Sequence, residues 1–498
     1  MATVVRGPAW SRKGLDVVGG AYPLRVERHL GRLVDGLLPG LISTTTHARS
    51  YALHALVWAE AAERGLELAE AIELLRRCEV VLAGVTLQHA SHIAWIPAPH
   101  GGIPIKRYID EVGRLGVTDL AGSGQQRYSP NAWGFGGAYI GSELRLGLVG
   151  STRPPTAGPR ADLAALRESL GMIVELAAED TLDLATLVAL PELCACAAGG
   201  CADGAWLRSV FVNPDPLDGF EEADRARRET ARLLGRVLAG GSPTPESPLD
   251  MFSRALAFGD FVVTDPVASS LQIAQAWRGA ILRSYSVGAW RRIWSWLVGR
   301  LGEPVTLGAL ADELAAALPD VTVAAMISDL PPRIGNGVLL PAEQDLRSAN
   351  ESPDPLTEVQ LLALGALRLD DLDGRALSAF AGRADDDDLG PRWFRAQLDA
   401  RSNDRLQDFG RWLAEMMVLR AQRVALTKMD FNRSTGRFWI PSRIRERAGL
   451  ISRLSLEGWA EVALRIDTFS SVLSGCGAIE RSDDGEWKVT EAGEDVLA

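Results

Sequence analysis

The chain has 498 residues, 47% hydrophobic and 23% charged, with a formal net charge of −12. That length exceeds one ordinary core, so three or more domains are expected, and the composition is that of a globular rather than a disordered protein. The acidic balance excludes a surface that coats nucleic acid throughout, because phosphate binding depends on Lys and Arg neutralising backbone charge.

Five cysteines, an odd number in so large a chain, argue against a secreted disulfide framework and for a reducing cytosol. Residues 1–18 lack the apolar core of a signal peptide. The longest apolar stretch, 182–199, is broken by Asp183, Pro191 and Glu192, so no membrane span is expected and the protein reads as cytoplasmic. Only four of the 52 basic residues are lysine; together with abundant Ala and Gly this suggests a GC-rich bacterial genome.

Pro-, Gly- and Ser-rich stretches at 150–162, 240–250 and 341–356, and a weaker acidic break at 383–391, divide the chain. The expected architecture is mainly α and multidomain. A helical N-terminal domain with a Gly/aromatic-rich loop takes 1–150, and a helical domain with a cysteine cluster takes 151–245. A helical, winged-helix-like domain takes 246–345, a helical domain ending in a basic segment takes 346–453, and a winged-helix-like domain takes 454–498.

In chain order, the segment 37–65 (LLPGLISTTTHARSYALHALVWAEAAERG) predicts a helix capped by Thr44, Thr45 and Thr46, with His47, Tyr51, His54 and Trp58 on one side. Arg49 in its first turns would favour an anion, although capping alone accounts for the threonines. All six histidines lie in the first hundred residues: His29, His47, His54, His89, His92 and His100. His89 and His92 have the spacing that puts two side chains on one face, yet two ligands do not make a zinc site. The Gly-rich stretch 122–150 lacks P-loop and dinucleotide-binding spacing, and reads as a loop leading into a short element at 142–148.

Periodicity predicts helices over 162–179 and 220–238. Between them, Cys194, Cys196 and Cys201 could bind zinc with a fourth ligand from Cys78 or a histidine, though buried structural thiols are the commoner outcome. Over 286–302, Trp290, Trp294, Leu297 and Leu301 mark one face of a helix docked on a core. Two stretches, 303–341 and 457–498, carry helices followed by a short hairpin, the second around Asp484-Gly485; two helical stretches are expected before that second hairpin. The last domain has ten acidic and three basic residues. Its segment 468–476 holds no Arg, Lys, Asn or Gln to read base edges, so a protein-contact role fits it better than DNA binding.

Residues 420–453 are the opposite: nine basic residues against two acidic, a net of +7, with Phe431, Phe438 and Trp439 interleaved. Arg433, Arg437, Arg443, Arg445 and Arg447 are the candidate nucleic-acid contacts. Alternatively, these arginines pair with acidic residues of the same chain or of another subunit.

The segment LLPGLISTTTHARSYALHALVWA, the later C-x-C segment and the helix-rich body with its terminal hairpin domain resemble large, uncharacterised helical bacterial proteins found with defence or DNA-processing genes. The resemblance covers about the first 200 residues and implies a subunit working with nuclease or helicase partners. It carries over no catalytic residue. The expected function is therefore a non-enzymatic adaptor or nucleic-acid-linked subunit of a bacterial complex, in anti-phage defence. The alternatives are a metal-dependent hydrolase or nuclease using the histidines and cysteines, and a transcription regulator.

Overall fold

The structure, a computed structural model, describes residues 15–18, 20, 22–241, 246–348, 354–383, 389–433, 436–482 and 484–497. The acidic run at 384–388 and parts of the linkers 240–250 and 341–356 lie outside the described residues. The chain is mainly α-helical, with sheets of only two or three short strands, as periodicity and composition led us to expect. No described helix is long and apolar enough to cross a membrane.

Two compact units interleave along the sequence. One comprises the chain up to Leu33, Leu256–Val262 and Gln275–Val462; the other comprises Val34–Ala255, Val263–Ala274 and Ala463–Ala498.

The second unit is organised around the helix Ala48–Glu63, which is buried on almost every side, including Tyr51, His54 and Trp58. A helix apolar all round belongs at the centre of a helical layer. It packs against Leu68–Gln88, Leu163–Leu176, Ala202–Val212 and Ile466–Gly475. Its N-cap is His47, without a side-chain capping bond. The threonines do other work: the Thr45 hydroxyl bonds the Ile42 backbone, donating to the carbonyl at 3.0 Å. The expected threonine cap is thus replaced by a turn ending at Thr45, two residues short of the helix. The next helix, Leu68–Gln88, opens with a capping box between Glu67 and Glu70, and Asp162 caps Leu163–Leu176.

The C-terminal hairpin pairs Ile479–Arg481 with Trp487–Val489, as the Asp-Gly turn indicated, and the helix Glu491–Leu497 follows. Between residue 454 and this hairpin there is one helix, Ile466–Gly475, rather than two. Residues 455–464 are irregular because their polar groups bond elsewhere: the Glu457 carbonyl accepts from the Ser295 hydroxyl at 2.8 Å, and its carboxylate faces Arg443 at 3.4 Å. Eight residues of Ile466–Gly475 are buried, so this helix is a packing element of its unit.

In the first unit, Trp290, Trp294 and Leu297 on Gln272–Arg300, and Leu301 just past its end, are each no more than 2% exposed, the docked face the spacing indicated. The stretch 303–341 forms the short strand Val305–Thr306, helices Leu307–Ala316 and Val323–Ser328 capped by Thr306 and Thr322, and a hairpin turning at Asn336-Gly337. Both turn residues have positive φ, as a tight primed turn demands. The strand Val305–Thr306 pairs with Leu450–Arg453 instead of this hairpin.

Candidate metal centre

Two pairs of residues about 100 positions apart meet in the second unit. His89 caps the C-terminus of Leu68–Gln88, where the backbone leaves helical geometry, and a turn bond from His92 N–H to the His89 carbonyl follows at 3.1 Å. Cys194 closes the short 3₁₀ turn Pro191–Leu193 in extended conformation. The result is a group of four, His89, His92, Cys194 and Cys196, whose ligand atoms all lie within 4.8 Å of one another. Cys194 Sγ is 3.1 Å from Cys196 Sγ and 3.3 Å from His92 Nδ1, while Cys196 Sγ is 3.3 Å from His89 Nδ1.

A tetrahedral ion with metal–sulfur bonds of about 2.3 Å and metal–nitrogen bonds of about 2.0 Å has ligand–ligand edges of roughly 3.3–3.8 Å. The two sulfur–nitrogen separations are about 0.2 Å below their edge, and the sulfur–sulfur separation is about 0.7 Å below its own. Binding would spread these three pairs, and no other pair of ligand atoms in the group is more than 4.8 Å apart. The group can hold a metal ion.

His92 and the cysteine loop are positioned from outside the group. His92 Nε2 bonds the Ile96 carbonyl at 3.2 Å, which places its proton there and leaves Nδ1 to ligate. Thr86 accepts the Ala195 N–H at 3.1 Å, while its hydroxyl donates to the Leu82 carbonyl at 2.8 Å. Arg49 Nη1 donates to the carbonyls of Glu192 at 2.6 Å and Cys194 at 2.5 Å, and its Nε bonds Asp203 at 2.9 Å with both side chains fully buried. Arg49 is therefore spent on the cysteine loop and is not free for a bound anion. The Cys196 thiol is held well below its ordinary range, chiefly by a hydrogen bond from Cys194, with the Ile93 backbone, His92 and His89 assisting. Cys194, the donor, is pushed up correspondingly.

Cys201 bonds the Ala197 carbonyl at 3.3 Å and is outside the group. Cys78 is fully buried in Leu68–Gln88 and its thiol is pushed up by that burial. The structure thus joins His89 and His92 to Cys194 and Cys196, and supplies the missing ligands from the histidine pair.

Beside this centre runs a buried polar network that the sequence did not reveal. His54 lies between two carboxylates, with Nδ1 2.6 Å from Glu143 and Nε2 3.0 Å from Glu79. Burial opposes its protonation, but Glu143 and then Glu79 outweigh it and raise the imidazole to about 10. Burial pushes the Glu143 carboxyl up. Glu79 also accepts the N–H groups of Phe135 and Gly136 at 3.0 and 2.9 Å, where the helix Gly136–Leu146 begins. That carboxylate, at the positive end of the helix, starts it earlier than the expected 142–148 element.

His47 bonds the Ala98 carbonyl at 2.8 Å and His100 at 3.1 Å, and His100 meets the Tyr139 hydroxyl at 2.9 Å. Burial keeps both imidazoles neutral, lowering His100 to about 3. His47, Arg49, Glu79, His100 and Ala195 are among the residues lining a cavity of about 20 Å³, room for a water molecule. His29 is in the other unit, bonded to the Ala379 carbonyl at 2.7 Å.

The basic segment is wholly within the first unit. It forms the antiparallel pair Asp430–Asn432 and Arg437–Pro441, joined on its other edge by Leu15–Val18, and then the hairpin Ile444–Arg447 and Leu450–Arg453. Arg443 pairs with Glu457 at 3.4 Å, Arg420 donates to the Leu24 carbonyl and Arg453 to the Gly299 carbonyl. Half-buried Arg437 has partners within the chain. Arg433, Arg445 and Arg447 pair with no acidic residue among the described residues. The structure so splits the expected footprint into arginines that hold the fold and arginines that do not.

Comparisons with protein-family models, curated proteins and solved structures match nothing.

Proposed function

We propose that this chain is a non-enzymatic subunit of a bacterial multiprotein complex acting near nucleic acid, with one unit locked by a structural zinc ion. The observation that carries this reading is the four-ligand set: two thiols and two imidazoles fill a tetrahedral shell, whereas catalytic zinc keeps a position open for water. Two soft sulfur ligands with two nitrogens favour zinc over the oxygen-seeking magnesium or calcium. A transcription regulator that reads DNA through 468–476 is disfavoured, since that helix is buried in its own unit. The setting in defence, beside nuclease or helicase subunits, rests on the resemblance of the N-terminal segments.

The test is to purify the zinc-loaded protein and assay hydrolysis of single- and double-stranded DNA and RNA. No turnover, together with loss of cooperative unfolding on chelation, is the expected result. Zinc-dependent hydrolysis that disappears in His92→Ala would replace this reading with the hydrolase.

A further inference from the structure

We infer that the face carrying Phe431 and Phe438 binds single-stranded nucleic acid, stacking unpaired bases on these rings while Arg433, Arg445 and Arg447 neutralise its phosphates. The inference rests on the nucleic-acid part of the reading above and deepens it by naming strandedness and residues.

Phe431 and Phe438 are directly opposite one another in the antiparallel register and so share one face of the sheet. Their ring centroids are 5.0 Å apart and the planes are tilted by 57°, an arrangement that leaves ring surface uncovered. They are 44% and 42% exposed. Two phenylalanines at that exposure leave apolar surface in water; a base that stacks on them would cover it.

Charge selects the occupant. A chain of net −12 concentrates a net of +7 in residues 420–453, and three of those arginines have no acidic partner among the described residues. Arg445 and Arg447 stand two apart on one strand, on the face they share with Ser452 and Leu450; the other face carries buried Ile444 and Ile451. Arg433 is two residues beyond Phe431, where the first strand ends.

Duplex DNA would satisfy the arginines but not the rings, because paired bases present their faces to each other. An unpaired strand satisfies both, and base–aromatic stacking is tolerant of sequence. Each base stacked is worth about 5- to 150-fold in affinity.

The experiment is fluorescence anisotropy of the full chain with labelled oligonucleotides of about 20 nucleotides, as single-stranded DNA, single-stranded RNA and DNA duplex, over a range of salt. The single strands should bind more tightly than the duplex, and the DNA and RNA arms identify which is preferred. Phe431→Ala/Phe438→Ala should weaken single-strand binding by about tenfold or more with an unchanged salt slope. Arg445→Glu/Arg447→Glu should instead flatten that slope by about 1.4 or more, from a starting value near −2. All these side chains are exposed or half-buried, and an unchanged thermal midpoint confirms folding. Equal binding of duplex and single strand, indifferent to the phenylalanines, would overturn the stacking site while leaving the nucleic-acid reading intact. No salt-sensitive binding of any oligonucleotide up to about 100 µM would overturn both.

Discussion

Arg49 and Cys194 are joined by a hydrogen bond of 2.5 Å from the guanidinium Nη1 to the cysteine carbonyl, across 145 residues of sequence. The same guanidinium bonds Asp203 where neither side chain is exposed to solvent. A buried pair of this kind adds little over an apolar pair, but breaking it strands a charge. Arg49→Ala should therefore cost about 3–5 kcal/mol in denaturant unfolding, and Arg49→Met/Asp203→Leu should recover much of that loss. Arg49→Ala alone should also weaken metal retention, because the Cys194 backbone loses its anchor. A loss under about 1 kcal/mol would mean that Asp203 finds another partner.

The ligands can be separated from the other thiols. Cys194→Ser, Cys196→Ser, His89→Ala and His92→Ala should each lower metal affinity sharply, whereas Cys201→Ser should leave it unchanged. Competition with a chromogenic chelator reads this directly. Equal sensitivity of Cys201→Ser and Cys194→Ser would restore the three-cysteine grouping that spacing alone suggested.

His54 gives the fold a pH dependence of defined sign. Its folded-state value is raised to about 10 from an ordinary 6.5, so the native state keeps a proton that the unfolded chain releases. The stabilisation is fully present below about 6.5 and is lost as pH rises through about 10. His54→Asn leaves Glu79 and Glu143 facing each other without the cation. The stability gap between wild type and His54→Asn should narrow steadily from pH 7 to pH 10 in chemical denaturation. Glu143, also raised, loses its contribution in the same direction but from a lower pH, and Cys196, lowered, changes in the opposite sense. For this reason the difference between the two proteins, and not either curve alone, is diagnostic. A gap that widens with pH would mean a neutral His54.

Gly134 has φ of +59°, and a Cβ there would collide with the Tyr128 hydroxyl and the Glu79 carboxylate. Gly134→Ala should destabilise by about 1–3 kcal/mol, while Gly124→Ala, with nothing near its Cβ, should change stability by no more than about 0.5 kcal/mol. Thermal unfolding of the two variants makes the comparison.

What could be read from the sequence was local. The docked tryptophan face and the Asp-Gly hairpin each depend on residues within a few positions, and both are present. The metal group depends on a meeting of 89–92 with 194–196, and no spacing rule reaches across a hundred residues. Sequence placed His89 and His92 together and Cys194 and Cys196 together, but it grouped the thiols with Cys201, their neighbour in sequence, and left the fourth ligand open between Cys78 and an unspecified histidine. Glu79 and Glu143 cannot be told from solvated carboxylates by spacing, because one acid in a helix carries no periodic signal. A usable clue was there: Glu79 is followed directly by the apolar run VVLAGV, where an acid must find a partner to be buried. The three threonines misled because hydroxyls before a helix serve caps and turns equally well, and only backbone geometry decides which.

The most direct measurement is the zinc content of the full chain, purified without chelator and quantified by mass spectrometry of the metal against protein concentration. The four-ligand centre predicts about one zinc per chain, retained by Cys201→Ser and lost by Cys194→Ser and His92→Ala. Less than about a tenth of an equivalent in folded wild-type protein would contradict it.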